Sequence, residues 1–498
     1  MHSAPIRQIV ILGGGTAGWM SAAALAKALA GTGTSIRLIE SDEIGTVGVG
    51  EATIPTIHWF NQIVGLDEAA FMKATGATYK LGIEFVGWNG AGSAYLHPFG
   101  TYGPPQDGVM FLHRMIRGRL AGQTIAAEDF SLTARAARAG RFARPVADRR
   151  SLLSTLGFAY HFDAGRYAQY LRGLAEAAGV ERIEGKVTAI DQHPETGFVR
   201  ALTTDRGVRV EGELFLDCSG FRGMLIEQTL GSGFDDWSHW LPCDRAWAAP
   251  SAAETTVTPY TRSTADTAGW RWRIPLQHRT GNGYVFSGRY QSDDAARDAL
   301  LAGMDGAPIA DPRLIRFLPG QRKKSWDKNV VAIGLSSGFL EPLESTSIHL
   351  IQSGIAKLLS LFPRVDCDPL LAEQFNRVFA AEMEDVRDFL ILHYAQTGGR
   401  DEPMWRACQA MDLPERLAYR LDQYRHSGRI MLGSDELFRD ASWFAVLDGQ
   451  GVQAESYSPM IEGMSDTANA KLLDDVRRAI AAASAGLPAL RAPAAGHA

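Results

Sequence analysis

Cysteine is scarce in this chain: four in 498 residues, at Cys218, Cys243, Cys367 and Cys408. None forms a Cys-x-x-Cys pair, so neither a zinc site nor a disulfide framework is indicated. Long apolar runs are also missing, and no stretch reaches the roughly 18 residues that a membrane-crossing helix needs. Positive charge is not in excess: 50 Lys+Arg against 56 Asp+Glu leave a net charge of −6. That balance gives no basic field for nucleic acid or an anionic membrane. There is no internal repeat, and the chain enters a strand without a signal-like leader, so cytoplasm is the expected compartment. What remains is the composition of a globular protein, 46% hydrophobic and 21% charged. Such a length can bury a large core, as two to four domains or one α/β enzyme with insertions.

The first recognisable device is near the start. Ile6–Leu12 reads as an apolar strand that runs into Gly13-Gly14-Gly15-Thr16-Ala17-Gly18, and an alanine-rich segment predicts a helix over residues 19–30. A G-x-G-x-x-G turn between strand and helix is the setting in which the motif binds a dinucleotide. Gly13 allows the tight turn, Gly15 lets the backbone approach a pyrophosphate, and Gly18 permits close helix–strand packing. Thr16 and Ala17 lie between them, at the helix start. A second strand, residues 35–39, ends in Glu40, whose carboxylate is placed for an adenosine ribose. The stretch Thr46–Pro55 carries two glycines around Val49; it is either a plain connector or a loop that closes on something flat.

Residues 79–88 alternate like a strand and carry Lys80, which on spacing alone is a solvated face residue; His97 and Phe99 read as scaffold. Residues 163–178 predict a helix, residues 184–190 and 198–204 strands, and Glu213–Cys218 a strand entering a glycine turn. In Gly269–Pro275, alternation puts Trp270, Trp272 and Ile274 on one face and two arginines on the other. A short buried strand at residues 330–333 precedes Gly338-Phe339-Leu340-Glu341-Pro342-Leu343-Glu344-Ser345-Thr346-Ser347, and a helix follows from Ile348. Ser345 or Thr346 is a natural N-cap there, and the helix start suits an anion. Helices are predicted over 373–394, 414–425 and 466–482, with a disordered Ala/Pro/Gly tail from Ala483.

Four of these features stand in one order: Gly13–Gly18, Lys80 before Phe-Val-x-Trp, Trp270-x-Trp272-x-Ile274-Pro275, and Phe339-x-x-Pro342-x-x-Ser345. Together they resemble the flavin-dependent halogenases, in the tryptophan halogenase-like branch, over residues 6 to 460. The resemblance implies an α/β two-dinucleotide-binding-domain flavoprotein fold with a mostly helical C-terminal substrate module. Its expected FAD module is 1–90, 151–225 and 323–365; substrate-side insertions are 91–150 and 226–322, and the helical module is 366–482. It implies FAD, arriving as FADH2 from a separate flavin reductase, which with O2 oxidises chloride or bromide to hypohalous acid.

On the same resemblance, Lys80 takes the essential lysine's place, carrying the oxidant as a haloamine or hydrogen-bonding hypohalous acid. Glu344 falls on the glutamate that assists loss of the ring proton. Thr346 and Ser347 would hold the halide through backbone N–H groups. Trp270 and Trp272 would wall off the flavin. Val49, Gly50, Glu51 and Ala52 would belong to the loop strapped over it, and Val187, Leu335 and Ile348 fall at FAD contacts. His97 and Phe99 match walls that sandwich an indole, and Trp443 joins the substrate residues.

The chain departs from the family twice. Ser347 stands where glycine is frequent, and the paired-tyrosine segment that clamps free tryptophan is missing from Phe438–Gln450. An indole-like aromatic or a larger indole-bearing molecule is therefore the implied substrate, and a homodimer the oligomer to consider. A flavin monooxygenase is the competing enzyme class; those enzymes carry Gly-Asp after the late strand, where this chain has Ile333-Gly334-Leu335-Ser336. A flavin- or nucleotide-binding protein without activity is the other alternative, and retention of Lys80 with Glu344 speaks against it.

Overall fold

The computed structural model describes residues 3–44, 50–104, 108–254 and 257–490. The chain divides into two compact units, each drawn from three stretches: Met1–Ala77, Phe162–His239 and Arg316–Glu384 in one, Thr78–His161, Trp240–Ile315 and Asp385–Ala498 in the other. The segment 366–482, expected as one helical module, is shared between them, because the division falls inside the helix Pro369–Ala395.

The first unit is built on a sheet with strands in the order Trp326–Asp327, Val330–Ala332, Leu214–Asp217, Gln8–Leu12, Ser35–Glu40, Glu181–Glu184. All neighbours are parallel except the first pair. Gln8–Leu12 can lie at the centre because Ile9, Val10 and Ile11 are all buried, and a strand covered on both faces needs an unbroken apolar run. Val10 and Leu12 pack with Ile39, Phe215 and Val330. The alanine-rich helix Thr16–Ala28 packs against Ala164–Ala177 and Ser347–Ser360. The single strand expected over 184–190 is two, Glu181–Glu184 and Val187–Gln192, broken at Gly185. Val187–Gln192 joins Val199–Thr204 and Arg209–Glu211 in an antiparallel ribbon.

The second unit has a sheet that includes, in order, Arg245–Ala252, Arg279–Phe286, Gly269–Pro275, Thr261–Asp266, Gly82–Val86 and Ala94–Pro98. Only Thr261–Asp266 and Gly82–Val86 are parallel neighbours. The strand expected over 79–88 is split at Leu81. Thr78–Lys80 leaves this sheet to pair antiparallel with Ala159–His161, while the Leu81 N–H donates to the Pro259 carbonyl at 2.7 Å. The last helix, Asp466–Gly486, packs on Leu112–Leu120 and Leu132–Arg138. Beyond it, the Phe142 N–H reaches the Pro488 carbonyl at 3.1 Å and the Leu490 N–H reaches Gly140 at 2.8 Å. Residues 483–490 are thus part of the fold, which corrects the expected disordered tail; residues 491–498 lie outside the described residues. No described helix is long and apolar enough to cross a membrane.

Candidate active site

In the first unit the glycine turn has the form its sequence requires. Gly13 has φ 112, and a side chain there would overlap the Cys218 carbonyl; one on Gly18 would overlap the Gly13 carbonyl. At Gly15, by contrast, nothing lies within 4 Å of where a Cβ would stand. Gly15 caps the helix Thr16–Ala28, whose first turn carries no acid. The N–H groups of the first turn, at Thr16, Ala17 and Gly18, have no partner within the helix, and with the open space at Gly15 this helix start fits a pyrophosphate. Glu40 closes its strand and accepts the Arg182 Nε–H at 2.6 Å. These residues fit the adenine-dinucleotide half of FAD.

Val49 lies outside the described residues. Gly50, Glu51 and Ala52 form a short strand, and burial pushes the Glu51 carboxyl up to about 7. Val187 packs partly buried against the first unit's apolar cluster. Leu335 sits in the turn Gly334–Ser336, where Gly334 lies directly against Ala17 at the start of the first helix.

The later turn is more constrained than its sequence suggests. Pro342–Glu344 is one turn of 3-10 helix, and Ser345 follows with φ 61, a conformation that costs a residue with a side chain about 1–2 kcal/mol. Such strain is kept where the surroundings demand it. Thr346 is the cap position of Ser347–Ser360, yet its hydroxyl does not cap the helix. The Thr346 Oγ1 is wholly buried without a hydrogen-bond partner. An uncapped helix start beside an orphaned hydroxyl is suited to a small anion. Glu341 and Glu344 are equally buried, so burial does not distinguish them. Ile348 is buried in the first turn, and Gln352, one turn on, is buried with both amide atoms unpartnered. Next along the helix, His349 bridges Thr56 Oγ1 at 3.0 Å and Glu382 at 2.8 Å. Burial raises the Glu382 carboxyl, but His349 and Lys357 outweigh it and bring it down to about 2.

In the second unit Lys80 is fully buried, contrary to the solvated residue its spacing alone suggests. Its ammonium lies 5.0 Å from the centre of the Phe99 ring. The approach follows from the backbone, since the Phe99 N–H donates to the Leu81 carbonyl at 2.8 Å. Further rings follow from Phe99: His97 to Phe99 at 6.4 Å, His97 to Phe389 at 5.9 Å, and Phe389 to Trp443 at 5.1 Å. The structure thus joins Lys80, His97, Phe99 and Trp443 in one aromatic array. Trp270 and Trp272 lie 6.2 Å apart on one buried strand face. Their strand's arginines turn the other way, Arg271 to Asp266 at 2.7 Å and Arg273 to Asp305 at 3.0 Å. Trp272 lies over its cross-strand partner Gly283, where any side chain would overlap the indole.

A sequence model described as "Tryptophan halogenase" matches residues 8–466. The chain belongs to the tryptophan halogenase family. Its structure superimposes with TM-score 0.94 on BrvH, a flavin-dependent halogenase from Brevundimonas sp. BAL3, at 46% identity, covering 97% of this chain and 98% of that one. A flavin-dependent halogenase from Xanthomonas campestris, Xcc4156, gives TM-score 0.93 at 46% identity, covering 97% of each chain. Tryptophan 6-halogenase ThaL of Streptomyces albogriseolus is 37% identical over 441 residues, 84% of this chain and 82% of the relative. The chain is therefore an enzyme, an oxidoreductase of the flavin-dependent halogenase type, with the α/β fold that the resemblance implied. Sequence reasoning missed Phe389, which sits in the apolar stripe of a long helix and carries no motif. It also missed His161, whose partners Thr78 and Thr261 lie on two separate strands. Among the described residues no cluster of three or more His, Cys, Asp or Glu could hold a metal.

Proposed function

We propose that this halogenase makes hypohalous acid from chloride or bromide and delivers it through Lys80 to an indole-like aromatic. The observation that carries the reading is Lys80 itself, a lysine withdrawn from solvent and set against an aromatic ring. Lysine is rarely fully buried in a folded protein. Bound reduced FAD with O2 would supply the two-electron oxidation of the halide. The first unit would hold it, with Gly13, Gly15, Thr16, Ala17 and Gly18 at the pyrophosphate, Glu40 at the ribose, and Val49–Ala52, Val187, Leu335 and Ile348 along the flavin.

The chain's own residues then divide the remaining work. Thr346 and Ser347 bind the halide at the helix start; because the contact is through backbone N–H groups, a serine at 347 serves as glycine would. Trp270 and Trp272 keep the substrate away from the flavin. Lys80 donates a hydrogen bond to hypohalous acid, or carries the halogen as a haloamine, and so presents an electrophilic halogen in a water-poor channel. The ring's π electrons form the carbon–halogen bond as the halogen–oxygen bond breaks, and the departing hydroxide takes a proton from the Lys80 ammonium to leave as water. From a haloamine, the halogen–nitrogen bond breaks instead and leaves the Lys80 amine. Glu344 takes the ring proton. His97, Phe99 and Trp443 form the walls that hold the aromatic.

Lacking the paired-tyrosine clamp, the site takes an indole or a larger indole-bearing molecule in preference to free tryptophan. A separate flavin reductase supplies FADH2 as a diffusing partner, in the cytoplasm. A single assay with a flavin reductase, FAD, bromide and indole tests this. Bromoindole supports the reading, hydroxyindole replaces it with a monooxygenase, and turnover of no aromatic reduces the chain to a flavin binder.

A further inference from the structure

Two residues before Lys80 on the same strand, the buried Thr78 faces the buried His161 on the neighbouring strand. Thr78 Oγ1 is 2.7 Å from the Pro275 carbonyl, the last residue of the Trp-x-Trp-x-Ile-Pro strand, and 3.1 Å from His161 Nδ1. A carbonyl only accepts, so the single Thr78 hydroxyl proton is spent on Pro275. Toward His161 that oxygen can only accept, and Nδ1 must carry the proton. His161 Nε2 lies 3.0 Å from the hydroxyl of the buried Thr261, at the start of the strand beside Gly82–Val86. In the neutral ring Nε2 is an acceptor, and Thr261 donates to it.

The donors therefore line up in one direction: Thr261 to His161, His161 to Thr78, Thr78 to Pro275. This chain ties together the strand of Lys80, the strand Ala159–Asp163, the strand Thr261–Asp266 and the end of the tryptophan strand. We propose that His161 is a positioning residue for Lys80, held as the neutral Nδ1–H tautomer so that this hydrogen-bond chain fixes where the ammonium stands. Burial pushes the imidazole well below its usual range, and the nearby Lys80 charge pushes it the same way. A second cation here would both repel Lys80 and end the acceptance of the Thr261 proton. The inference rests on the reading of Lys80 as the group that delivers the oxidant.

The test has two parts. Histidine-selective 15N NMR of the FAD-free enzyme near neutral pH, with His161→Asn used for assignment, reads the tautomer without any turnover. Protonated Nδ1 with unprotonated Nε2 supports the proposal; the Nε2–H tautomer or an imidazolium overturns it. In the reductase-coupled assay, His161→Phe keeps the ring's bulk and breaks the chain. Its halogenated product per flavin oxidised is expected to fall about tenfold to a hundredfold, through kcat and not the indole KM, because small displacements of a reacting group are costly. His161→Asn, which keeps a donor toward Thr78, is expected to recover most of that loss. If His161→Phe does not fold, Thr261→Val, which keeps the shape and removes one donor, must show the same fall. Unchanged product yield in a folded His161→Phe or Thr261→Val overturns the proposal. Wild-type enzyme that halogenates nothing would instead remove the halogenase reading, and the NMR result would still judge the hydrogen-bond chain.

Discussion

The ammonium of Lys80 lies 5.0 Å from the centre of the Phe99 ring, and both belong to the same compact unit. A cation over an aromatic face in a desolvated place is held by the ring quadrupole, by about 0.5–2 kcal/mol. Replacing Phe99 by Leu keeps an apolar wall and removes that attraction. Phe99→Leu is expected to lower halogenated product by about threefold to thirtyfold at unchanged flavin oxidation, and Phe99→Tyr to retain it. Chromatographic product yields for the two variants decide; equal yields would separate Phe99 from the lysine's function.

Trp272 depends on a missing side chain. Because a Cβ on Gly283 would overlap its indole, Gly283→Ala forces the tryptophan or its strand to move. Overpacking of this kind costs about 1–3 kcal/mol. Urea unfolding should show that loss, and, if Trp270 and Trp272 form the proposed barrier between flavin and substrate, halogenated product per flavin should fall as it loosens. A variant with native stability and yield would mean that the indole moves without consequence.

Glu51 gives a pH signature to the FAD-free protein. Burial raises its carboxyl from 4.5 to about 7, so between those values the folded chain keeps a proton that the unfolded chain has lost. Stability therefore falls as pH rises through that window and levels off above it, by at most about 3 kcal/mol from this one group. Glu51→Gln cannot titrate and should remove that part of the slope. Thermal unfolding of both proteins across the window checks it; parallel curves would show that Glu51 is solvated.

Two buried acids share the turn before the helix Ser347–Ser360, and they should behave differently. Glu344→Gln removes the proposed base and should slow halogenation by about a hundredfold or more. Glu341→Gln keeps the turn's shape and should stay within a few-fold of wild type. Single-turnover rates with preformed FADH2 separate them, and equal losses would mean that the base has been assigned to the wrong carboxylate.

Much of this was legible in the sequence because the constraints were local. Gly18 meets the Gly13 carbonyl across a turn of a few residues, so that glycine could be read directly, whereas Gly13 meets the carbonyl of the distant Cys218 and was readable only through the motif. Trp270 and Trp272 share a strand face by the two-residue repeat alone. Lys80 was not legible in this way: alternation made it a solvated residue, and only the family likeness marked it. Its burial comes from pairing with Ala159–His161 and from the Leu81 break, neither of which is local. The same holds for His161, whose two threonine partners come from strands 83 and 100 residues away. The Thr346 cap was misjudged because residue preference assumes that the hydroxyl turns back on its own helix. Here the left-handed Ser345 sets the chain's direction, and the hydroxyl is left without a partner.

The central claim is that Lys80 passes on an oxidant made elsewhere in the enzyme. Wild type and Lys80→Ala should be compared with reductase, FAD, O2, bromide and indole, following flavin oxidation and bromoindole together. Flavin oxidation is expected at the same rate in both, with bromoindole in the wild type alone. Bromoindole from Lys80→Ala at the wild-type rate would contradict the claim.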